Sequence, residues 1–217
     1  MHITACTLVL HEPLFFATRE IGRLYETGRY LHNYALTYAL QMANAPWFHR
    51  DQIPHYAADL SSLAVYVTPA LPLAIRFQLT TFKYGEERLH VEMLQAERNT
   101  PSFGRAKERA PESTFRCYVI STERLALPRW IRLGKWHSKA EVQTEQILIK
   151  EADGNYTAAC PLNPLDIPAD TLRAFDVVSM PPSSLVANAR CTGPHYVLGH
   201  GLGLPRGMRY TFPKGQP

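Results

Sequence analysis

Three segments of this sequence bring cations, aromatic rings and glycines close enough together to hold a polyanion. The first is Ser102-Phe103-Gly104-Arg105-Ala106-Lys107. Gly104 lets the backbone approach a phosphate, Phe103 can stack on a base, and Arg105 and Lys107 can neutralise phosphates. The second spans 129–139, where Arg129, Arg132, Lys135 and Lys139 alternate with Trp130 and Trp136. Tryptophan is commonly a core residue, but unpaired cations are rarely buried. Arg132, Lys135, Trp136 and Lys139 are therefore candidates to hold a polyanion. The third is the glycine-rich 199–209. Gly201 and Gly203 free the backbone to turn amides toward an anion, and Arg206 and Arg209 add charge. A tight structural turn is the other reading of that segment. It is neither a P-loop nor a dinucleotide fingerprint, since no Gly-Lys-Ser, no Gly-Lys-Thr and no clear helix follows.

Acid–base and metal chemistry have weaker support. His2, His11, His32 and His90 are possible general bases for RNA cleavage, but no spacing singles one out. Cys191, His195 and His200 form a partial ligand set without a zinc-finger pair. No Ser-His-Asp order and no Gly-x-Ser-x-Gly elbow is present. The expectation is a chain with no catalytic residue, no metal and no cofactor.

The charge supports a polyanion partner. The chain carries +4, yet residues 98–139 alone hold ten Lys and Arg against three Glu, a local +7, which leaves −3 for the rest. Clustered positive charge attracts a phosphate backbone through Coulomb forces and counterion release. A solvated basic face is the plainer alternative.

These groups need a frame, and 217 residues at 46% hydrophobic and 19% charged can bury one large core. No apolar run approaches the ~18 residues of a membrane span. The first ten residues lack the basic start and cleavage site of a secretory signal, so a cytoplasmic protein is expected. Cys6, Cys117, Cys160 and Cys191 form no CxxC pair, which fits a reducing compartment.

Periodicity supplies the elements. Residues 3–10 read as a strand with Cys6, Leu8 and Leu10 on one face. Residues 19–43 read as mostly helical, with Leu31, Ala35, Tyr38 and Met42 as its buried stripe; Arg19 and Arg23 would then share a face. The clearest strand is 73–83, where Leu73, Ile75, Phe77, Leu79 and Thr81 alternate with Ala74, Arg76, Gln78 and Thr80. Segment 85–113 has few apolar residues and reads as an excursion from the core, a long hairpin or arm. Further strands fall at 65–68, 115–121, 131–133, 142–150, 156–160 and 176–180, with one more in 185–198. Asp153-Gly154 marks a turn and 168–175 a short helix. This order predicts an α+β fold around an antiparallel sheet, with a ferredoxin-like (β-α-β-β-α-β) core.

Four segments, in order, also resemble a known family: Phe16-Ala17-Thr18-Arg19-Glu20-Ile21-Gly22-Arg23-Leu24-Tyr25, the 101–107 segment, Arg132-Leu133-Gly134-Lys135-Trp136 with Ser138-Lys139-Ala140, and the glycine-rich end. Together they resemble the handle-capping RAMP subunit, the small backbone subunit at the 5′ end, of type I-D CRISPR effector (Cascade) complexes. The likeness runs from about residue 1 to about 212. It implies one RRM-like, ferredoxin-like RAMP domain over 1–217, with 85–113 as an inserted thumb. It implies a subunit that holds the 5′ handle of CRISPR RNA, caps the backbone, and meets a backbone RAMP subunit and the large subunit. Target DNA near the protospacer-adjacent motif is a further implied partner, and no membrane is. The RNA-binding set of Arg19, Arg23, Phe103, Arg105, Lys107, Arg132, Lys135, Trp136, Lys139, Gly201, Gly203, Arg206 and Arg209 rests on charge, aromaticity and glycine. Two alternatives stay open: a metal-independent endoribonuclease that processes repeat RNA, and an assembly factor that meets an acidic protein.

Overall fold

The computed structural model describes residues 1–46, 53–83 and 103–212. Strand β1 (His2–Leu10) is buried on both sides, with Cys6, Leu8 and Leu10 on one face and Ile3 and Ala5 on the other. A strand apolar on both faces belongs inside a sheet covered on both faces. It pairs antiparallel with β8 (Thr114–Ser121) and β10 (Ser138–Ile147). Strands β4 (Val65–Val67) and β5 (Leu71–Ala74) pair with β8, and β9 (Trp130–Leu133) pairs with β10. The order of this first sheet is β4-β8-β1-β10-β9, all antiparallel.

Helix α1 (Asn33–Ala39) covers one face, where Leu36 and Leu40 pack among Leu8, Phe115 and Val119. The second sheet is built from β11 (Glu151–Ala152), β12 (Asn155–Ala158), β13 (Leu172–Val178), β14 (Leu185–Thr192), β15 (His195–Gly199) and β16 (Leu202–Pro205). Its order is β11-β15-β16-β12-β14-β13. It covers the other face of the first sheet, with Ile3, Tyr118 and Ile120 in one cluster with Leu162, Val186 and Leu204. The third sheet has the order β2-β3-β7-β6, from β2 (Arg19–Ile21), β3 (Leu24–Glu26), β7 (Phe103–Arg109) and β6 (Phe77–Lys83). A second short helix, α2 (Tyr56–Leu60), adds Leu60 to a cluster with Tyr34, Tyr66 and Tyr210.

The chain is mostly β, and several sequence expectations change. Residues 19–26 are a hairpin and not the start of a helix, because Gly22 takes φ +59° at the turn and the strands pair from Arg19–Glu26 to Ile21–Leu24. Only Asn33–Ala39 is helical, and its buried apolar residues include Tyr34 and Leu36, whereas Ala35 is exposed. The 73–83 strand is two strands in two sheets, and its Leu73, Phe77 and Leu79 side is exposed. Part of the 85–113 segment, 85–102, lies outside the described residues. Its remainder is not an excursion: β7 is a strand, and Ala106, Glu108, Arg109 and Ser113 are buried. The 168–175 helix is instead the approach to edge strand β13, held by pairing with β14. The 185–198 strand is two, broken at Gly193. Asp153-Gly154 does turn the chain, but β11 and β12 pair elsewhere. No helix among the described residues is long and apolar enough to cross a membrane. All four cysteines are buried and unpaired.

A polar cluster ties the C-terminal segment to α1. Asp166 accepts from the Asn33 amide at 2.8 Å, the Tyr66 hydroxyl at 3.1 Å and the Thr211 amide at 3.0 Å. Burial still pushes its carboxyl up to about 6. Next to it, His32 caps α1 by accepting from the Tyr34 amide at 3.2 Å through Nδ1. Its Nε2 faces the Ser183 hydroxyl at 3.0 Å, and burial pushes the imidazole down to about 4.

The two groups act on stability in opposite directions. Native Asp166 holds its proton more tightly than the unfolded chain does, so its contribution is present below about pH 4 and lost as pH rises to about 6. Native His32 holds its proton less tightly, so its contribution grows between about pH 4 and pH 6.5. Urea unfolding at pH 4 and pH 7 separates them. Asp166→Asn is expected to gain more stability than wild type on going to pH 7, and His32→Asn less. Identical pH responses in all three chains would refute this pairing.

Candidate nucleic-acid interface

The third sheet presents one mixed face. Register places Arg105, Lys107 and Arg109 of β7 opposite Thr81, Leu79 and Phe77 of β6. On the other side, the parallel pairing with β3 sets Leu24 beside Arg105 and Glu26 beside Lys107. Side chains alternate across a strand, so these residues share one surface. Phe77, Leu79 and Ile21 are about half exposed on it. The cations lie on the rings: Arg23 and Arg105 sit 5.5 and 5.9 Å from the Phe103 centroid, and Lys107 and Arg109 sit 4.7 and 4.0 Å from that of Phe77. Exposed rings and cations on one face are the chemistry by which bases can be stacked and phosphates neutralised.

Arg109 is built in more deeply. It is 3% exposed, donates through Nε to the Gly28 carbonyl at 2.9 Å and through Nη2 to the Thr27 carbonyl at 2.6 Å. Its backbone pairs with Leu14. Its Nη1 has no hydrogen-bond partner among the described residues. Burial first, and the Arg29 charge second, push its guanidinium down to about 10, so it remains charged at neutral pH. Gly28 suits this crossing, since a Cβ there would stand 2.8 Å from the Thr18 Cγ2. Arg109 lines a cleft of about 820 Å³ with Arg19, Arg29 and Lys107, walled opposite by Asp176 and Asn188. Lys107 pairs with Glu26 at 3.0 Å, which holds that carboxyl below its usual range.

The structure therefore brings Arg19, Arg23, Phe103, Arg105 and Lys107 onto one sheet. It places the rest elsewhere. Arg132 and Lys139 are on the β9–β10 hairpin of the first sheet, with Arg132 paired to Glu12 at 3.0 Å and the Lys139 ammonium 4.0 Å from the Trp130 ring. Trp136 stacks on Phe15 at 4.4 Å. Lys135 follows Gly134, whose φ of +72° fits the Phe15 carbonyl against the turn. The glycine-rich segment is the turn of the β15–β16 hairpin, with Gly201 at φ +74°. Gly203 is packed between His195 and Tyr156, leaving no room for a Cβ. Arg206 pairs with Glu151 at 2.9 Å, and the Arg209 amide donates to the Asp166 carbonyl. Among the histidines, His11 lies 3.8 Å from Glu141, His195 stacks on Tyr156, and His90 is outside the described residues. No group of three or more His, Cys, Asp and Glu among the described residues could hold a metal.

Sequence reasoning missed Arg29, Arg109, Phe77 and Leu79. Arg109 stood in the basic stretch without a distinguishing neighbour. Phe77 and Leu79 alternated with polar residues, and alternation does not say which side meets solvent.

The family model for type I-D CRISPR-associated protein Cas5/Csc1 matches residues 1–213. The chain belongs to that family. No curated protein matches it. Among solved structures, a chain from the cryo-EM structure of the type III-B Cmr-β complex bound to cognate target RNA and AMPPnP is similar at 9% identity. That likeness covers 87% of this chain and 86% of the other, with a TM-score of 0.47.

Arg109 and its outward neighbours have separable roles. Arg109→Met leaves the buried Thr27 carbonyl and the half-buried Gly28 carbonyl without these donors and is expected to cost about 3 kcal/mol of stability. Arg105→Gln with Lys107→Gln is expected to cost less than about 1 kcal/mol, while reducing the salt slope of RNA binding by about 1.4 for two phosphates. Denaturant unfolding and filter binding at graded salt measure both. A large stability loss in the double variant, with an unchanged slope, would mean that these cations serve the fold.

Proposed function

We propose that this chain is a non-catalytic RNA-holding subunit of a type I-D CRISPR effector complex. In this reading the third sheet and its cleft grip the 5′ handle of CRISPR RNA. The observation that carries the reading is the buried Arg109, whose Nη1 has no hydrogen-bond partner among the described residues, in the lining of a cleft shared with Arg19, Arg29 and Lys107. A handle must be held in fixed register and need not be turned over. Cations fix phosphates, exposed rings stack bases, and neither requires an acid–base pair. The family supports the CRISPR context.

The finer parts of the proposal follow the same logic. A RAMP-type, ferredoxin-like core is supported by four antiparallel strands in the order β10-β1-β8-β4, with α1 between β1 and β4. Its second helix has no counterpart among the described residues joining β8 and β10, where β9 stands instead. The chain caps the complex at the handle end, against a backbone RAMP subunit and the large subunit. It helps position target DNA near the protospacer-adjacent motif, while guide pairing reads the sequence.

Co-purification of the tagged chain with the products of its neighbouring genes, followed by sequencing of bound RNA, tests the proposal. Short RNAs with a common 5′ end are expected, together with intact labelled repeat RNA after incubation with the chain in chelator. An RNA-free chain, or metal-independent cleavage of the repeat that one histidine substitution abolishes, would overturn it.

A further inference from the structure

We propose that the outer face of the second sheet holds a second phosphate-binding subsite, formed by Arg173 and Arg190, onto which the RNA strand gripped in the first cleft continues. The proposal rests on the RNA-holding reading above and extends it to residues outside the first cleft. A separate cleft of about 530 Å³ is lined by Asn155, Thr157, Arg173, Arg190 and Gly201. Register sets Thr157 directly opposite Arg190 and Asn155 opposite Thr192, so their side chains leave the sheet on one face. Arg173 comes from β13, where a register shift between Leu172 and Ala174 places it beside Arg190. No carboxylate among the described residues lines this cleft. Neither guanidinium has an ion pair or hydrogen bond among the described residues.

Two guanidinium groups on adjacent strands repel each other. Sheet pairing holds them together here without a counter-charge, an arrangement that a phosphate oxygen relieves. The hydroxyl of Thr157 and the amide of Asn155 add neutral donors, and Phe175, two residues along β13, is 45% exposed. Cations, neutral donors and an exposed ring are the set a single nucleic-acid strand uses.

The path between the two clefts favours RNA over an acidic protein segment. Asn188 walls the first cleft, and Arg190 lines the second. Both are exposed and point outward from β14, two residues apart. Asn188 takes φ +50° where the β13–β14 register shifts, so the two positions are at most about 7 Å apart along the chain, or about two stacked nucleotides. The carboxylate at the join, Asp176, is held by the Asn188 amide at 2.7 Å. A strand leaving Arg109 and Arg29 thus meets Asn188 and then the arginine pair.

The test compares three full-length chains on a 5′-labelled single-stranded RNA: wild type, Arg173→Gln/Arg190→Gln, and Arg105→Gln/Lys107→Gln. Filter binding at graded salt and nuclease footprinting are the readouts, and melting confirms that each chain folds. The Arg173/Arg190 variant is expected to reduce the salt slope by about 1.4, as for two phosphates, and to shorten the protected stretch at one end only. An unchanged slope and footprint in that variant, with a loss in the Arg105/Lys107 variant, overturns this inference and leaves the first site standing. A duplex DNA arm distinguishes the source of phosphate, since a loss confined to DNA also overturns it. Failure of wild type to retain RNA overturns both readings.

Discussion

A guanidinium buried without a hydrogen-bonded carboxylate constrains the rest of this structure. Removing a charge from water costs several kcal/mol even after relaxation. Arg109 offsets that cost with the Thr27 and Gly28 carbonyls and the face of Phe77. Those partners come from two segments, so the side chain joins the loop at 27–28, just after β3, to the start of β6. Its own backbone bonds to Leu14, which sits in the core beneath. The third sheet is therefore fastened to the first through the residue that also charges the cleft. Removing it would loosen the sheet and discharge the site together.

This coupling matches what a holding surface needs. A flexible lysine on a loop can neutralise a phosphate, but it loses rotamer freedom when it does so. A guanidinium fixed by two carbonyls has already lost that freedom during folding. It also acts where water is largely excluded, so its field is screened less than that of a surface charge. Lys107 and Arg105, one and two steps outward along the same face, are more exposed. The face thus grades from a rigid, poorly solvated cation to mobile, well solvated ones. Under the proposed RNA-holding role, such a gradient would set register at one end and tolerate variation at the other.

How much of this was legible in the sequence depended on whether the information was local. Strand β1 was, because apolar residues on both of its faces demand a central position wherever the chain goes. So was β8, for the same reason. The 19–26 hairpin was not. Its Arg-Glu-Ile and Leu-Tyr-Glu runs fit a helix as well as strands, and only the left-handed turn at Gly22 and the partner β7 decide between them. Phe77 and Leu79 show a different failure. Their alternation was legible, but it could not say which side is buried, and Glu108 occupies the more buried side, satisfied by Gln78 and Thr80. At the candidate site, Phe103, Arg105 and Lys107 were legible because they adjoin in sequence. Arg29 and Arg109 lie 80 residues apart and were joined only by folding.

The cations themselves can be sorted by what already answers their charge. Arg129, Arg132 and Arg206 each face a carboxylate of this chain within 3.2 Å. A phosphate arriving there must compete with an internal partner, and the exchange of one anion for another gains little. Arg19, Arg23, Arg105, Arg173 and Arg190 face no carboxylate within bonding distance among the described residues. A phosphate arriving there adds a partner without removing one, and releases counterions from the nucleic acid. Dense local charge made 129–139 the most conspicuous basic segment of the sequence. Pairing makes it a weaker attractor than its composition suggests, and shifts the balance toward the third sheet and the β13–β14 edge. The net charge of a segment measures how strongly it can attract a polyanion only after the carboxylates that pair with it from elsewhere in the chain have been counted.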